Sequence, residues 1–250
     1  MSPPKPDEFL ANKYEPSEWY NRAALDVREE IDNSSMALGS KKLAVGGIQD
    51  MLYGLDKLTE RPDPKPVITI YGSARTGPDT FTYQRGRYTG ALAAQNGYDV
   101  MTGGGPGIME AGNRGAYEAG GTSIAIPIRL PFEPETKGNG YATLTIPQRN
   151  FYTRMQMLKM VGADGAFVVE RGGIGTGAEV LDTLTQIQTE KMPQAPVYFM
   201  GKGDWAPMEK LLDHWQKIGT ISPEDRNLYK VVNSPQEVFD DLARRRAAAR

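Results

Sequence analysis

Between Val169 and Leu184 the chain reads VERGGIGTGAEVLDTL, with glycines at 172, 173, 175 and 177, a threonine at 176 and a carboxylate, Glu179, three residues further on. Two other glycine-rich turns, YGSARTG and TGGGPGIMEAG, also follow apolar runs of strand length. A glycine lets backbone amides reach a ligand with no β-carbon in the way, and a helix opening after the turn aims its positive end at the same place. Three such turns at the strand ends of one sheet describe an anion site, and the concentrated charge of a phosphate is the ligand they favour. The T-x-x-E spacing of Thr176 and Glu179 also spells a capping box, in which hydroxyl and carboxylate merely satisfy orphan amides at a helix start. A carboxylate beside a helix amino terminus is held ionised, which suits it either to cap or to face a developing positive charge.

Other chemistries fit less well. In the GGGPG turn the third glycine position of a dinucleotide fingerprint, after Gly105 and Gly107, holds Glu110. GSARTGPD has the outer glycines of a P-loop but ends in Pro78 and Asp79, where a lysine and a hydroxyl residue are required. GTSIA, at 121–125, ends in alanine and reads as strand rather than as a serine-nucleophile elbow. The chain has no cysteine, which excludes disulfides, thiolate metal sites and a cysteine nucleophile. Its one histidine, His214, sits in an amphipathic helical pattern without further metal ligands and reads as a surface or packing residue. No metal is expected.

The elements that must position these turns follow from periodicity. From Val67 onward, apolar runs (VITIY, DVMT, TSIAIPI, TLTIP, GAFVVE, PVYFM, KVVNS) alternate with helical patterns, among them NFYTRMQMLKMV and a helix from Gly177 to about Glu190. That alternation predicts an α/β fold: a doubly wound, mostly parallel, Rossmann-like sheet with helices on both faces. In such sheets ligands bind beyond the carboxyl ends of the strands, where the glycine turns fall. Ahead of the sheet, two helical patterns at 17–33 and 41–58 and the extended RPDPKP stretch read as an N-terminal helical extension and linker over 1–65, leaving 66–250 as the nucleotide-binding domain.

With 250 residues, 39% of them apolar, and a net charge of -2, the chain can build one sizeable core and offers polyanions no general attraction, so neither nucleic acid nor membrane is an expected partner. The amino terminus is polar and proline-rich, without a signal-peptide core, and a cytoplasmic location is expected.

The segments TGGGPGIMEAGNRGA and GGIGTGAE together resemble the two signatures of the Lonely Guy family, loosely G-G-G-x-G-x-M and P-G-G-x-G-T-x-x-E. YGSAR, NFYTRM and GTISPEDRNLYKVVNSPQEVFDDL extend the resemblance from Val67 to about Leu242. Members of that family are phosphoribohydrolases: they cut the N-glycosidic bond of a nucleoside 5'-monophosphate, a cytokinin riboside monophosphate or AMP, to free base and ribose 5-phosphate. Older labels call them lysine decarboxylases.

The resemblance implies Glu179 and Arg154 as catalytic residues, and Gly172, Gly173, Gly175 and Thr176 as the phosphate loop. It further implies Thr185 as a substrate-side threonine, with Gly104, Gly105, Met109, Gly72 and Ser73 lining the nucleotide cleft. No cofactor is implied, and a homo-oligomer, dimer or higher, is. The sequence departs from the family pattern at Arg171, where a proline is usual, at Met155, where a lysine is usual, and in two extra residues between Arg154 and the loop, which leave Arg149 as the other candidate arginine. A nucleotide-binding or sensor module on the same fold, without hydrolysis, is the alternative.

Overall fold

The computed structural model describes residues 29, 31, 33–35, 37–129 and 138–248. Most of the helix expected at 17–33 lies outside them, as do Glu133, Glu135 and Lys137 in the Pro- and Gly-rich stretch that follows TSIAIPI in the sequence. The chain divides into two compact units between Glu60 and Arg61. In the first, α1 spans Leu38–Leu58, starting three residues ahead of the expected 41 and closing at Thr59, whose hydroxyl donates to the Asp56 carbonyl at 2.6 Å.

The second unit carries seven strands: β1 Val67–Tyr71, β2 Asp99–Thr102, β3 Ser123–Ala125, β4 Leu144–Thr145, β5 Ala166–Val169, β6 Val197–Met200 and β7 Lys230–Val232. Between them run α2 Phe81–Gln95, α3 Ile108–Glu118, α4 Phe151–Gly162, α5 Ile174–Gln188 and α6 Lys202–Lys217, with α7 Pro235–Ala248 at the end. All strands are parallel, in the order β4-β3-β2-β1-β5-β6-β7. This is the doubly wound α/β architecture expected from the alternating pattern. Its order reverses between β1 and β5, which makes the crevice beyond Tyr71 and Val169 the switch point at which such sheets bind ligands.

Strand pleating sorts side chains to two layers. Ile68, Ile70, Val100 and Val168 join Leu92, Ala93, Ile108, Val238 and Leu242 in a core under α2, α3 and α7. Each of the Val, Leu and Ile side chains contributes about 1.5–3 kcal/mol by leaving water. Thr69 and Tyr71 face the other way, where the Thr69 hydroxyl donates to the Leu158 carbonyl of α4 at 3.1 Å and Tyr71 stacks on Phe167. The sheet therefore presents α4 and α5 to the same side as Tyr71.

One boundary differs from expectation. The helix read as starting at Gly177 begins at Ile174. Glycine is a poor helix former, so Gly175 and Gly177 weaken the sequence signal there. Burial of Thr176 and Val180 against the sheet outweighs that propensity.

Candidate functional site

The three glycine-rich turns converge at the switch point. The Ser73 amide donates to the Arg171 carbonyl at 3.1 Å, and the Ser73 carbonyl accepts from the Ile108 amide at 3.0 Å, so the turn after β1 is bonded to those after β5 and β2. This proximity explains Gly107: its φ is +68°, and a β-carbon there would collide with the Ser73 carbonyl. Gly72 lies against Ile108, and Gly104 donates its amide to the Thr102 hydroxyl at 3.0 Å. Gly105 accepts from the Asn139 side-chain amide at 3.2 Å.

The loop after β5 leads into α5 with Gly173 at the N-cap and no side-chain cap. Thr176 is the third helical residue rather than the cap, so the capping-box reading of Thr176 and Glu179 is not what the chain adopts. A β-carbon at Gly173 or Gly175 would meet nothing within 4 Å. The backbone at Gly173 and Gly175 therefore borders open space at the positive end of a helix with no side-chain cap, the arrangement that can receive an anion.

Glu179, one turn further along, is reached by Arg154 from α4. The Arg154 guanidinium is held on four sides: Nε donates to the Ile126 carbonyl at 2.8 Å, Nη2 to the Gly103 carbonyl at 3.2 Å and toward Met109 Sδ at 3.6 Å, and Nη1 to Glu179 Oε1 at 3.4 Å. Gly103 is required by this approach, because a β-carbon there would coincide with Nη2. Arg154, not the exposed Arg149, occupies the cleft, and the two extra residues after it leave its helical phase correct.

Electrostatics at the pair are set by burial. Desolvation pushes the Glu179 carboxyl above the usual glutamate value while the Arg154 charge pulls it down. The same desolvation lowers the Arg154 guanidinium, which at its intrinsic basicity still stays charged. Two residues that sequence reading passed over complete the floor. Thr183, one turn beyond Glu179, donates its hydroxyl to the Glu179 carbonyl at 2.8 Å and lies 3.3 Å from the Tyr71 hydroxyl. Burial raises the Tyr71 phenol, so it stays protonated. The i+4 spacing from Glu179 to Thr183 was the available signal.

Thr185, by contrast, stands apart from the Arg154–Glu179 pair. It lies six residues after Glu179, some 240° round the helix at about 100° per residue. Its side chain is exposed, with the hydroxyl donating back to the Leu181 carbonyl at 2.8 Å. Arg171 turns from the cleft to Asp204 on α6, 3.7 Å away. His214 is exposed on α6, and among the described residues no group of three or more His, Cys, Asp or Glu could hold a metal ion.

Residues 109–242 match the protein family described as "Possible lysine decarboxylase". This chain belongs to that family, the Lonely Guy proteins. Among solved structures it is similar to TM1055, a structural-genomics target, at 22% identity and a TM-score of 0.52, covering 71% of this chain and 98% of that one. It is similar to the molybdenum cofactor binding protein of Rippkaea orientalis at 20% identity and a TM-score of 0.53, covering 70% and 94%. The molybdenum cofactor carrier protein of Chlamydomonas reinhardtii follows at 19% and 0.51, covering 74% and 99%. At these identities the likeness is one of fold. No curated protein matches the chain significantly.

Amino-acid decarboxylation by an aldehyde cofactor needs a lysine amine to carry it. On the helix that supplies Arg154, Lys159 is buried and bound to Asp182 of α5, and neither Arg154 nor Glu179 offers an amine. The residues of this Lonely Guy site do not fit that cofactor.

Proposed function

We propose that this chain is a phosphoribohydrolase that hydrolyses the N-glycosidic bond of a nucleoside 5'-monophosphate, a cytokinin riboside monophosphate or AMP, to the free base and ribose 5-phosphate. The observation that carries the reading is the Arg154–Glu179 pair, clamped by backbone carbonyls beside an uncapped glycine loop. In this reading the amides of residues 172–176 hold the 5'-phosphate, and Met109 with the turn at 103–105 lines the nucleotide cleft.

The chemistry follows from charge. As the C1'–N bond breaks, its electron pair leaves with the base and positive charge gathers on the ribose. The Glu179 carboxylate stabilises that oxocarbenium-like state and orients the attacking water. The water oxygen joins C1', one of its protons ends on the base nitrogen, and the other remains on the new anomeric hydroxyl. Arg154 keeps its proton throughout; it fixes Glu179 and stabilises charge on substrate oxygens or the departing base. Phosphate binding, remote from the breaking bond, supplies orientation.

The test is incubation with AMP and with isopentenyl-adenosine monophosphate while free base is measured, beside E179Q. Base release by the wild type and its loss in the variant support the proposal; no release from either monophosphate defeats it. The alternative is a nucleotide-binding or sensor module on the same fold, without hydrolysis. The same assay separates them, because such a module binds its nucleotide and releases it intact.

The homo-oligomer implied by the resemblance gains support from the cleft rim. Phe151 and Tyr152 open α4 at 60% and 70% exposure, and Ile174 opens α5 at 95%. Large apolar side chains left exposed at the starts of two helices suit a protein contact.

A further inference from the structure

Beneath the glycine loop lies a second charged group that the proposed reaction does not use. Glu170, the residue between β5 and the loop, is fully buried. Arg85, reaching across from α2, donates Nε to its two oxygens at 3.0 and 3.2 Å and Nη2 to Oε2 at 2.5 Å. The same Nη2 donates to the Met200 carbonyl at the end of β6, at 3.3 Å, and lies 3.6 Å from Asp204 on α6. Asp204 in turn meets Arg171, the first residue of the loop.

Arg85 is therefore bonded to the last residue before the loop, to the end of the neighbouring strand and to the helix that holds Arg171. The loop's entry has further anchors in the backbone: the Glu170 amide donates to the Tyr71 carbonyl at 2.9 Å, and the Trp205 indole donates to the Val169 carbonyl at 3.1 Å. Of these ties, the Arg85 fork is the one made by charged side chains in a dry setting, where a bidentate guanidinium fixes both distance and angle.

We infer that Arg85 is a positioning residue for the glycine loop, holding Glu170 so that the amides of residues 172–176 stand at the spacing a phosphate needs. This rests on the reading of the loop as a phosphate site. A lysine in its place would keep the charge and lose the fork, so the loop entry would be tethered at one point instead of several.

The experiment compares the full chain with R85K by two measurements: ribose 5-phosphate affinity by calorimetry, and hydrogen exchange of the loop amides with and without that ligand. In the wild type the ligand should slow exchange over residues 172–176. In R85K the free loop should exchange faster while β1 and β2 keep wild-type protection, and affinity should fall about tenfold, a loss of roughly 1.4 kcal/mol of binding. Base release should fall with it, in kcat as well as in KM, because the phosphate that the loop holds also orients the reacting bond.

A wild-type loop that ignores ribose 5-phosphate overturns the phosphate reading and this role with it. A wild-type loop that responds, beside an R85K loop with the same exchange and affinity, overturns the role of Arg85 alone. Faster exchange spread evenly over the sheet also overturns it, because that is the signature of lost stability. Should R85K not fold, E170Q carries the same comparison: it keeps the shape of the side chain and takes the charge from the fork, with an affinity loss of about threefold.

Discussion

Arg154 and Glu179 meet at the length limit of a hydrogen bond, and the rest of the Arg154 guanidinium is committed to carbonyls. Replacing Glu179 by glutamine should cut base release by about 10²- to 10³-fold through loss of charge stabilisation, while ribose 5-phosphate affinity, read by calorimetry, stays within about threefold. Glu179 is raised by burial and held down by Arg154, which fixes the direction of the pH dependence. The acidic limb of kcat/KM should lie above the ordinary glutamate range, with activity rising as the carboxyl ionises. Removing the guanidinium in R154Q takes away the influence that lowers Glu179, so the limb should move to higher pH; a limb that stays or moves down contradicts the pairing. G103A tests the seat of the same side chain. Its β-carbon would occupy the space of Nη2, and the variant should lose activity together with about 1–3 kcal/mol of stability on denaturant unfolding.

At the level of elements, the Arg85–Glu170 pair joins α2 to the exit of β5. R85M leaves a buried carboxylate without its cation and should destabilise the fold by about 3–5 kcal/mol, whereas R85M/E170L, which removes both charges, should recover most of it in a double-mutant cycle of denaturation midpoints. Neither partner was legible as such in the sequence. AFVV and VYFM announce buried parallel strands by being apolar throughout, and the other strands were visible as short, mostly apolar runs alternating with helical patterns. Arg85 stands in a helix that reads as an ordinary amphipathic pattern, and its partner lies far along the chain, so only strand order brings them together. Glu179 and Arg154 were legible through the family signatures, not through periodicity. Thr183 was hidden because its hydroxyl bonds its own helix.

For the whole molecule, the proposed chemistry divides recognition between two ends of the ligand: the phosphate at α5 and the sugar at Glu179. A nucleoside without its 5'-phosphate should be a far poorer substrate in kcat as well as KM, because remote binding energy orients the reacting bond. Equal turnover of nucleoside and monophosphate in the base-release assay would remove the loop's role. Sedimentation should return a mass of at least two 27.5 kDa chains, and I174E/Y152E should shift it toward one. The register of the central strands has a consequence for biosynthesis. Ile68 sits beside Ala166, so β1 has no neighbour on that side until about a hundred further residues have left the ribosome. Until then β1 shows a bare peptide edge to the cell, and the crevice does not exist; ligand capture therefore waits until β5 has closed that edge.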